Sequence, residues 1–523
     1  MKRKKVEILL LAGTMCMTGC SIKNPVSALE STMVAESTTQ EETTAASDDS
    51  VNKLDVSDMF TNRDKEIGYD EESSVLVVLA DGKSSCDSDT VLIDGNVITI
   101  TEEGTYVLSG ALSDGIIIVD AGDSDKVQLV LNGVEITSAE SAAIYVRSAD
   151  KVFITTASGS ENTLTNGGSY TAIDDNHIDA VIFSKEDLTL NGAGTLTIDA
   201  KAGHGVVSKD DLVLTSGTYK ITAEKHGLSG KDSVRIADGT YSITSGKDGI
   251  HAANKDDESL GFVYISGGNI QITADDDGIH ADSEVVIEGG TIEVTESYEG
   301  IEGLSIDITG GSIDVTASDD GFNAARSKNS SQSDGKQEDI FAAQEGAYIH
   351  ISGGIIHVNA SGDGIDSNGD LIVSGGETYV SGPTDNANGA VDYDGEGVIS
   401  GGIFVAAGSS GMAQNFGDAS TQGVMLVDME KQAAGSTISL TDSNGEELIS
   451  WTPDKEYESV VVSCPEIVQG AAYSLMAGDS TQQIVMDSLV YGTGGMESQP
   501  AGGPGHGAFG GPRGERPKEK AAD

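Results

Sequence analysis

The sequence predicts an all-β chain folded as a right-handed parallel β-helix, and three observations carry that expectation. A unit of about 22 residues recurs along the chain, each unit ends in an alternating strand, and glycines, 67 of 523 residues, sit at fixed offsets within the units. The clearest copies are HGVVSKDDLVLTSGTYKITAEK, HGLSGKDSVRIADGTYSITSGK, DGIHADSEVVIEGGTIEVTESY and EGIEGLSIDITGGSIDVTASD. Such short units show no helical periodicity and cannot bury an apolar face alone, so neighbours must stack into a shared core.

The chain begins with a basic start, Lys2 to Lys5, followed by an apolar run from Ile8 that is too short to span a bilayer as a mature helix. Residues 1–20 therefore read as a signal peptide. Its end, Met17-Thr18-Gly19-Cys20, resembles the bacterial lipobox, which makes Cys20 the expected lipidation site and places the protein on the outer face of the bacterial membrane. Residues 21–65 are rich in Ser, Thr and acids with few large apolar side chains; they cannot bury enough surface to offset chain entropy and are expected to form a disordered tether.

Residues 66–422 carry the repeat. Unit starts at His204, His226 and Asp248 are 22 and 22 residues apart, and those at Asp277, Glu299 and Asp320 are 22 and 21 apart. The step from Asp248 to Asp277 is 29 and that from Asp320 to Asp363 is 43, which puts insertions near Asn254 to Gly261 and near Arg326 to Gly346. Alternation in Thr291-Ile292-Glu293-Val294-Thr295 sends Ile292 and Val294 inward, and Tyr219, Tyr241, Ile270, Ile313, Ile356, Tyr379 and Phe404 are expected to continue that inward ladder. The Gly-Gly pairs of SGGNI, EGGTI, TGGSI and SGGII mark turns that need positive φ or close backbone approach. An N-terminal cap is expected within residues 75–140, because an open stack of strands presents unpaired edges.

From 423 to 492 the repeat stops. TISLTDSNGEELISWTP, with its Ser-Asn-Gly turn, and YESVVVSCPEI predict a small antiparallel β domain over the C-terminal end. Residues 493–523 are Gly/Pro-rich and expected to be disordered. Cys86 and Cys464 do not form a disulfide framework, although nothing in the sequence prevents their pairing.

Net charge is −55, from 85 acids against 30 bases, a field that repels nucleic acid and favours cations. Stacking turns equivalent positions into columns. The first position gives Asp248, Asp277, Glu299, Asp320 and Asp363; three residues on runs His251, His280, Glu302, Asn323, Asp366 and Asp392. Asp276 and Asp319 flank the first column and Asp282 lies nearby. Two carboxylates about 4.8 Å apart repel by about 3 kcal/mol at an effective dielectric of about 20. Ca2+ is the expected compensation, because it accepts six to eight oxygen ligands in loose geometry. A lone Asp-Gly is ordinary turn chemistry; the columns together point to calcium. Asp174, Asp175 and Asp179, with His177 among them, form a further calcium candidate or an ordinary polar loop. Zinc on His251 and His280 is disfavoured by one imidazole per coil with acids following, against exposed or hydrogen-bonded imidazoles; both are also candidate ligand-binding residues.

The repeated DGIHA and DDGIH strings resemble a family of clostridial cell-surface carbohydrate-binding proteins with a calcium-rich parallel β-helix, itself similar to the family 9 pectate lyases. The resemblance covers about residues 75 to 420 and implies non-catalytic, calcium-dependent binding of cell-wall polysaccharide, acidic pectic chains or cellulose. Both insertions leave from the same turn, so a glycan groove is expected there, with Arg326, Lys328 and Lys336 as basic contacts. Two other readings stay open: a calcium-dependent pectate lyase with a Lys or Arg base, and a structural adhesin without a glycan ligand.

Overall fold

The computed structural model describes residues 54–326 and 342–492, all within one compact unit, Asn52–Asp523. The leader, Cys20, most of the tether, Lys328, Lys336 and the tail lie outside the described residues. Strands and turns make up the whole of what is described, without a helix. No helix there is long and apolar enough to cross a membrane.

Each coil contributes three short strands. The coil from His204 runs His204–Ser208, Asp211–Leu214 and Thr218–Ala223, and the next runs Leu228–Gly230, Ser233–Ile236 and Thr240–Ser245. Equivalent strands pair in parallel, with Thr218 opposite Thr240 and Asp211 opposite Ser233. The first strands of the coils form a 13-stranded sheet. The second and third belong to one larger sheet, because the long strand Lys126–Ser138 pairs with Lys151–Thr156 over its first half and with Glu161–Asn166 over its second. A β-helix solenoid results, with three faces around an apolar interior.

The inward ladder of the third face is Leu196, Tyr219, Tyr241, Ile270, Ile292, Ile313, Ile356, Thr378 and Phe404, read directly from strand register. Tyr379 was expected in this ladder. Register instead puts Thr378, fully buried, on the inside and Tyr379 on the outside, where it stacks on His357 with centroids 5.1 Å apart. The inward residue stands two positions after the second glycine of each pair. Counting from Gly376 gives Thr378, and the larger apolar surface of tyrosine does not override the pleat.

The two glycines of each pair do different jobs. Gly290 adopts φ +97°, a backbone conformation that costs side-chain-bearing residues dearly. Its neighbour Gly289 has no such φ, but a Cβ there would stand 2.8 Å from the Ser266 carbonyl oxygen of the preceding coil.

Antiparallel pairing closes both ends. At the N-terminal end Val75–Leu79 pairs with Ser85–Cys86, and Val91–Asp94 pairs with Val97–Ile100. At the other end Tyr457–Ser463 runs antiparallel to the last coil strand, Ile403–Gly408, and to Val424–Gln432. A four-stranded antiparallel sheet in the order Glu447–Trp451, Ile438–Asp442, Ala472–Ala477, Ser480–Val485 packs on these strands through Val405, Met425, Leu440, Val460 and Leu475. The C-terminal segment thus continues the solenoid sheet and adds a second layer. Cys86 and Cys464 are both free thiols.

The expected tether ends earlier than residue 65. Leu54, Val56, Met59 and Phe60 pack against Phe262, Tyr264 and Val286 on the second face. Asp64, 1 % exposed, forms an ion pair with Lys151 at 2.9 Å and accepts a hydrogen bond from the Thr189 hydroxyl at 2.6 Å. Four apolar residues within seven positions give this stretch enough surface to dock.

Candidate metal centre

The outer surface of the 13-stranded sheet carries both acidic columns, and backbone register confirms their alignment. Ser229, His251, His280, Glu302, Asn323, Asp366 and Asp392 stand opposite one another in successive strands. The first column is held one step upstream, where the amides of Gly227, Gly249, Gly278, Gly300 and Gly321 donate to the carbonyls of Asp248, Asp277, Glu299, Asp320 and Asp363.

The glycine after each acid is not a turn residue. Gly249, Gly278, Gly300, Gly321 and Gly364 all lie outside the left-handed region, and a Cβ on Gly300 would stand 2.2 Å from Val315 and 2.3 Å from the Gly321 carbonyl oxygen. The coil is pinched flat here, with backbone lying on the valines and isoleucines of the third face. Turn chemistry therefore does not explain the acids that precede these glycines.

Part of the explanation is local. Three first-column side chains, those of Asp248, Asp320 and Asp363, accept a hydrogen bond from the backbone at the same point of the following coil: Asp277 N donates to Asp248 Oδ1 at 3.2 Å, Asp363 N to Asp320 Oδ1 at 2.6 Å, and Gly389 N to Asp363 Oδ1 at 2.5 Å. One oxygen of the carboxylate answers an amide and the position requires an acceptor. The second oxygen faces the column.

Five groups of three side chains bring their donor atoms within 4.8 Å of one another, and each group shares a member with the next. They are His226, Asp248, His251; Asp248, Asp277, His280; Asp277, Glu299, Glu302; Glu299, Asp319, Asp320; and Asp320, Asp363, Asp366. The three C-terminal groups are wholly acidic. His280 lies inside this row, its Nδ1 2.7 Å from Glu302 and 3.3 Å from Asp277, and its Nε2 3.6 Å from Asp282. Burial works against its charge, but Asp277, Asp282 and Glu302 raise its pKa well above the usual imidazole range.

Farther along the row, acidic neighbours act on Asp320, Asp363 and Asp392. Burial and then Asp366, Asp363, Asp319 and Glu299 push Asp320 well above the usual carboxylate range. Burial, with Asp392, Asp319 and Asp385, raises Asp363 to about 7 despite the Gly389 amide. Burial and Asp394 raise Asp392 to about 6. The crowding of carboxylates along the columns raises these pKa values.

Asn323 stands in the same row as the acids. Its Nδ2 donates to Glu299 at 2.8 Å, while its Oδ1 is buried without a hydrogen-bond partner. A buried amide oxygen beside Glu299 and Asp320 is a hard donor suited to Ca2+.

Other expected site residues go elsewhere. Asp276 and Asp282 lie outside the five groups, although Asp282 touches His280. Asp174, Asp175 and Asp179 do not converge on one point. Asp174 binds Arg147 at 3.1 Å and the Tyr145 hydroxyl at 2.8 Å, Asp175 and His177 are exposed, and Asp179 faces His204 at 3.6 Å. Adjacent acids in a loop point different ways, so sequence proximity did not translate into a shared site. Arg326 reaches Glu258 at 3.7 Å, which brings the two insertions together on one side of the solenoid. Sequence reasoning passed over His204 and His226 as site residues. The signal was their place at the first position of the unit, the same place the acids occupy.

The family model for "Carbohydrate-binding domain-containing protein" matches residues 94–386. A protein of that description from Acetivibrio thermocellus is 38 % identical over 150 residues, covering 28 % of this chain and 52 % of its own length, so the chain spans about half of that curated relative. A solved structure described as "Structure of the polysaccharide lyase-like protein from C. thermocellum, Gadolinium derivative" is 36 % identical, with a TM-score of 0.43, and covers 45 % of this chain and 96 % of its own.

Proposed function

The chain belongs to the family of carbohydrate-binding domain-containing proteins, and from that premise we propose that its acidic ladder, loaded with Ca2+, binds an acidic cell-wall polysaccharide without cleaving it. The observation that carries this reading is the unbroken row of acidic groups from Asp277 to Asp366, each sharing a member with the next. Asp277, Glu299, Glu302, Asp319, Asp320, Asn323, Asp363 and Asp366 are the residues that would hold calcium. Bound Ca2+ supplies the positive charge that a uronate carboxylate needs to approach so acidic a face. The chain's own residues space those charges one coil apart and hold them on a stiff sheet. On this reading the protein works outside the cell, tethered to the membrane through a lipid on Cys20.

The test is pull-down of the full mature chain on insoluble pectic and cellulosic polysaccharides, in calcium and in EDTA, with product absorbance followed on soluble polygalacturonate. Retention on the pectic matrix only in calcium, with flat absorbance, is the expected result. Equal retention in EDTA overturns the metal's part, and rising absorbance of unsaturated product overturns the absence of catalysis.

A further inference from the structure

The N-terminal end of the ladder has a different chemistry. Acids give way to histidines, and His204, His226, His251 and His280 stack in series with centroids 4.9, 4.0 and 5.1 Å apart. The stack crosses from the first column to the second between His226 and His251, which brings two imidazoles and Asp248 around one point. His226 Nδ1 is 3.1 Å from Asp248 Oδ2, and His251 Nδ1 is 2.6 Å from the same oxygen.

We propose that His226, Asp248 and His251 form a binding site for a borderline divalent transition metal of the zinc class, distinct in metal preference from the acidic groups that follow it in the same ladder. Two nitrogen donors and one carboxylate oxygen are the donor set such ions prefer, whereas Ca2+ prefers oxygen alone. This inference does not depend on the glycan reading.

The geometry around the three side chains supports the site, whose ligand atoms all lie within 4.8 Å of one another. His226 Nδ1 also faces two demands, since the Asp248 amide donates to it at 3.2 Å while Asp248 Oδ2 stands 3.1 Å away. One ring nitrogen carries either a lone pair or a proton and cannot answer both; a cation between Nδ1 and Oδ2 answers the carboxylate, and the longer amide contact relaxes. Finally, a cleft of about 240 Å³ lined by His204, His226 and His251 opens the site to solvent. Its rim carries Lys209 and Lys231, of which Lys231 is paired with Asp256 at 2.8 Å. Behind His226, the Nδ1 of His204 is buried without a hydrogen-bond partner, a further nitrogen in the same stack. Binding displaces the proton that His251 Nδ1 shares with Asp248, and that proton leaves to solvent.

The experiment is titration of the chelator-stripped full chain with Co2+, in excess Ca2+, followed by visible absorption and by competition with Zn2+. One equivalent with nitrogen- and oxygen-ligated bands, displaced by Zn2+ and not by Ca2+, is expected. His226→Gln and His251→Gln should each lose it while keeping the calcium-induced rise in melting temperature, which shows that they fold. Asp363→Asn should keep it. Displacement of Co2+ by Ca2+, undiminished binding in both histidine variants, thiolate-ligated bands from Cys86 or Cys464, or no binding at all would leave the histidines as hydrogen-bonded imidazoles and overturn the proposal.

Discussion

His251 and His280 stack in adjacent coils with centroids 5.1 Å apart and planes 15° apart, yet their pKa values move in opposite directions. Burial and the neighbouring His226 take the His251 pKa down to about 4. His280 is just as enclosed, but three carboxylates surround it and raise its pKa well above the ordinary value. His251 has one carboxylate beside it, Asp248, where His280 has three, and the direction of the shift follows.

Imidazole NMR of the metal-free chain should therefore find His251 neutral down to about pH 4, with His280 protonated at pH 7. Because His251 titrates below its unfolded value of 6.5, the folded state binds fewer protons than the unfolded state between those limits. Its contribution to stability thus grows as pH rises from about 4 to 6.5. Ordinary titration of both rings would contradict the assigned burial.

The acidic end behaves in the opposite sense. Asp363 titrates near 7 when folded against 3.8 in its unperturbed form, so without metal the folded chain binds the extra proton and stability falls as pH rises across that window. In EDTA at pH 8, Asp363→Asn should melt several degrees above the unmodified protein. In calcium the order should reverse, because the variant has lost an anionic ligand. A variant that melts lower in both conditions would mean that the carboxylate serves the fold alone.

Register makes a sharp claim about two neighbouring residues. Thr378 is fully enclosed inside the solenoid and Tyr379 lies on its outer face, half-buried against His357 and Trp451, so Thr378→Tyr should cost about 3 kcal/mol or more through overpacking, whereas Tyr379→Thr loses the ring contacts, about 1 kcal/mol. Ile313→Ala, in the same inward ladder, should cost about 2 to 5 kcal/mol in guanidinium unfolding. Equal costs at 378 and 379 would place the register wrongly.

Asp64 pins the segment before the solenoid. Its carboxylate is enclosed with Lys151 and Thr189, and Asp64→Ala leaves Lys151 only its longer 3.9 Å contact with Asp187, a change of up to about 3 kcal/mol when a buried partner is removed. Limited proteolysis should then cut between residues 54 and 65 while the solenoid stays intact. Unchanged protection would assign the docking to Met59 and Phe60 alone.

The sequence by itself determined the parts of this protein that repeat. Backbone pairing advances by whole coils, so a fixed period and fixed glycine offsets encode the three-faced stack, the place of both insertions and the alignment of Asp277 with Glu299 and of His280 with Glu302. Whatever departs from the period was decided in space. Tyr379 faces outward because the pleat outranks side-chain type, the acids near 174 point apart because a loop has no register, and residues 54–65 found their apolar seat far along the chain. The pairing of His226 with His251 belongs here too, since it crosses from one column to the other. A period records which residues share a column; contacts across columns, and the charge states they impose, depend on burial and distance, which exist only once the coils have stacked.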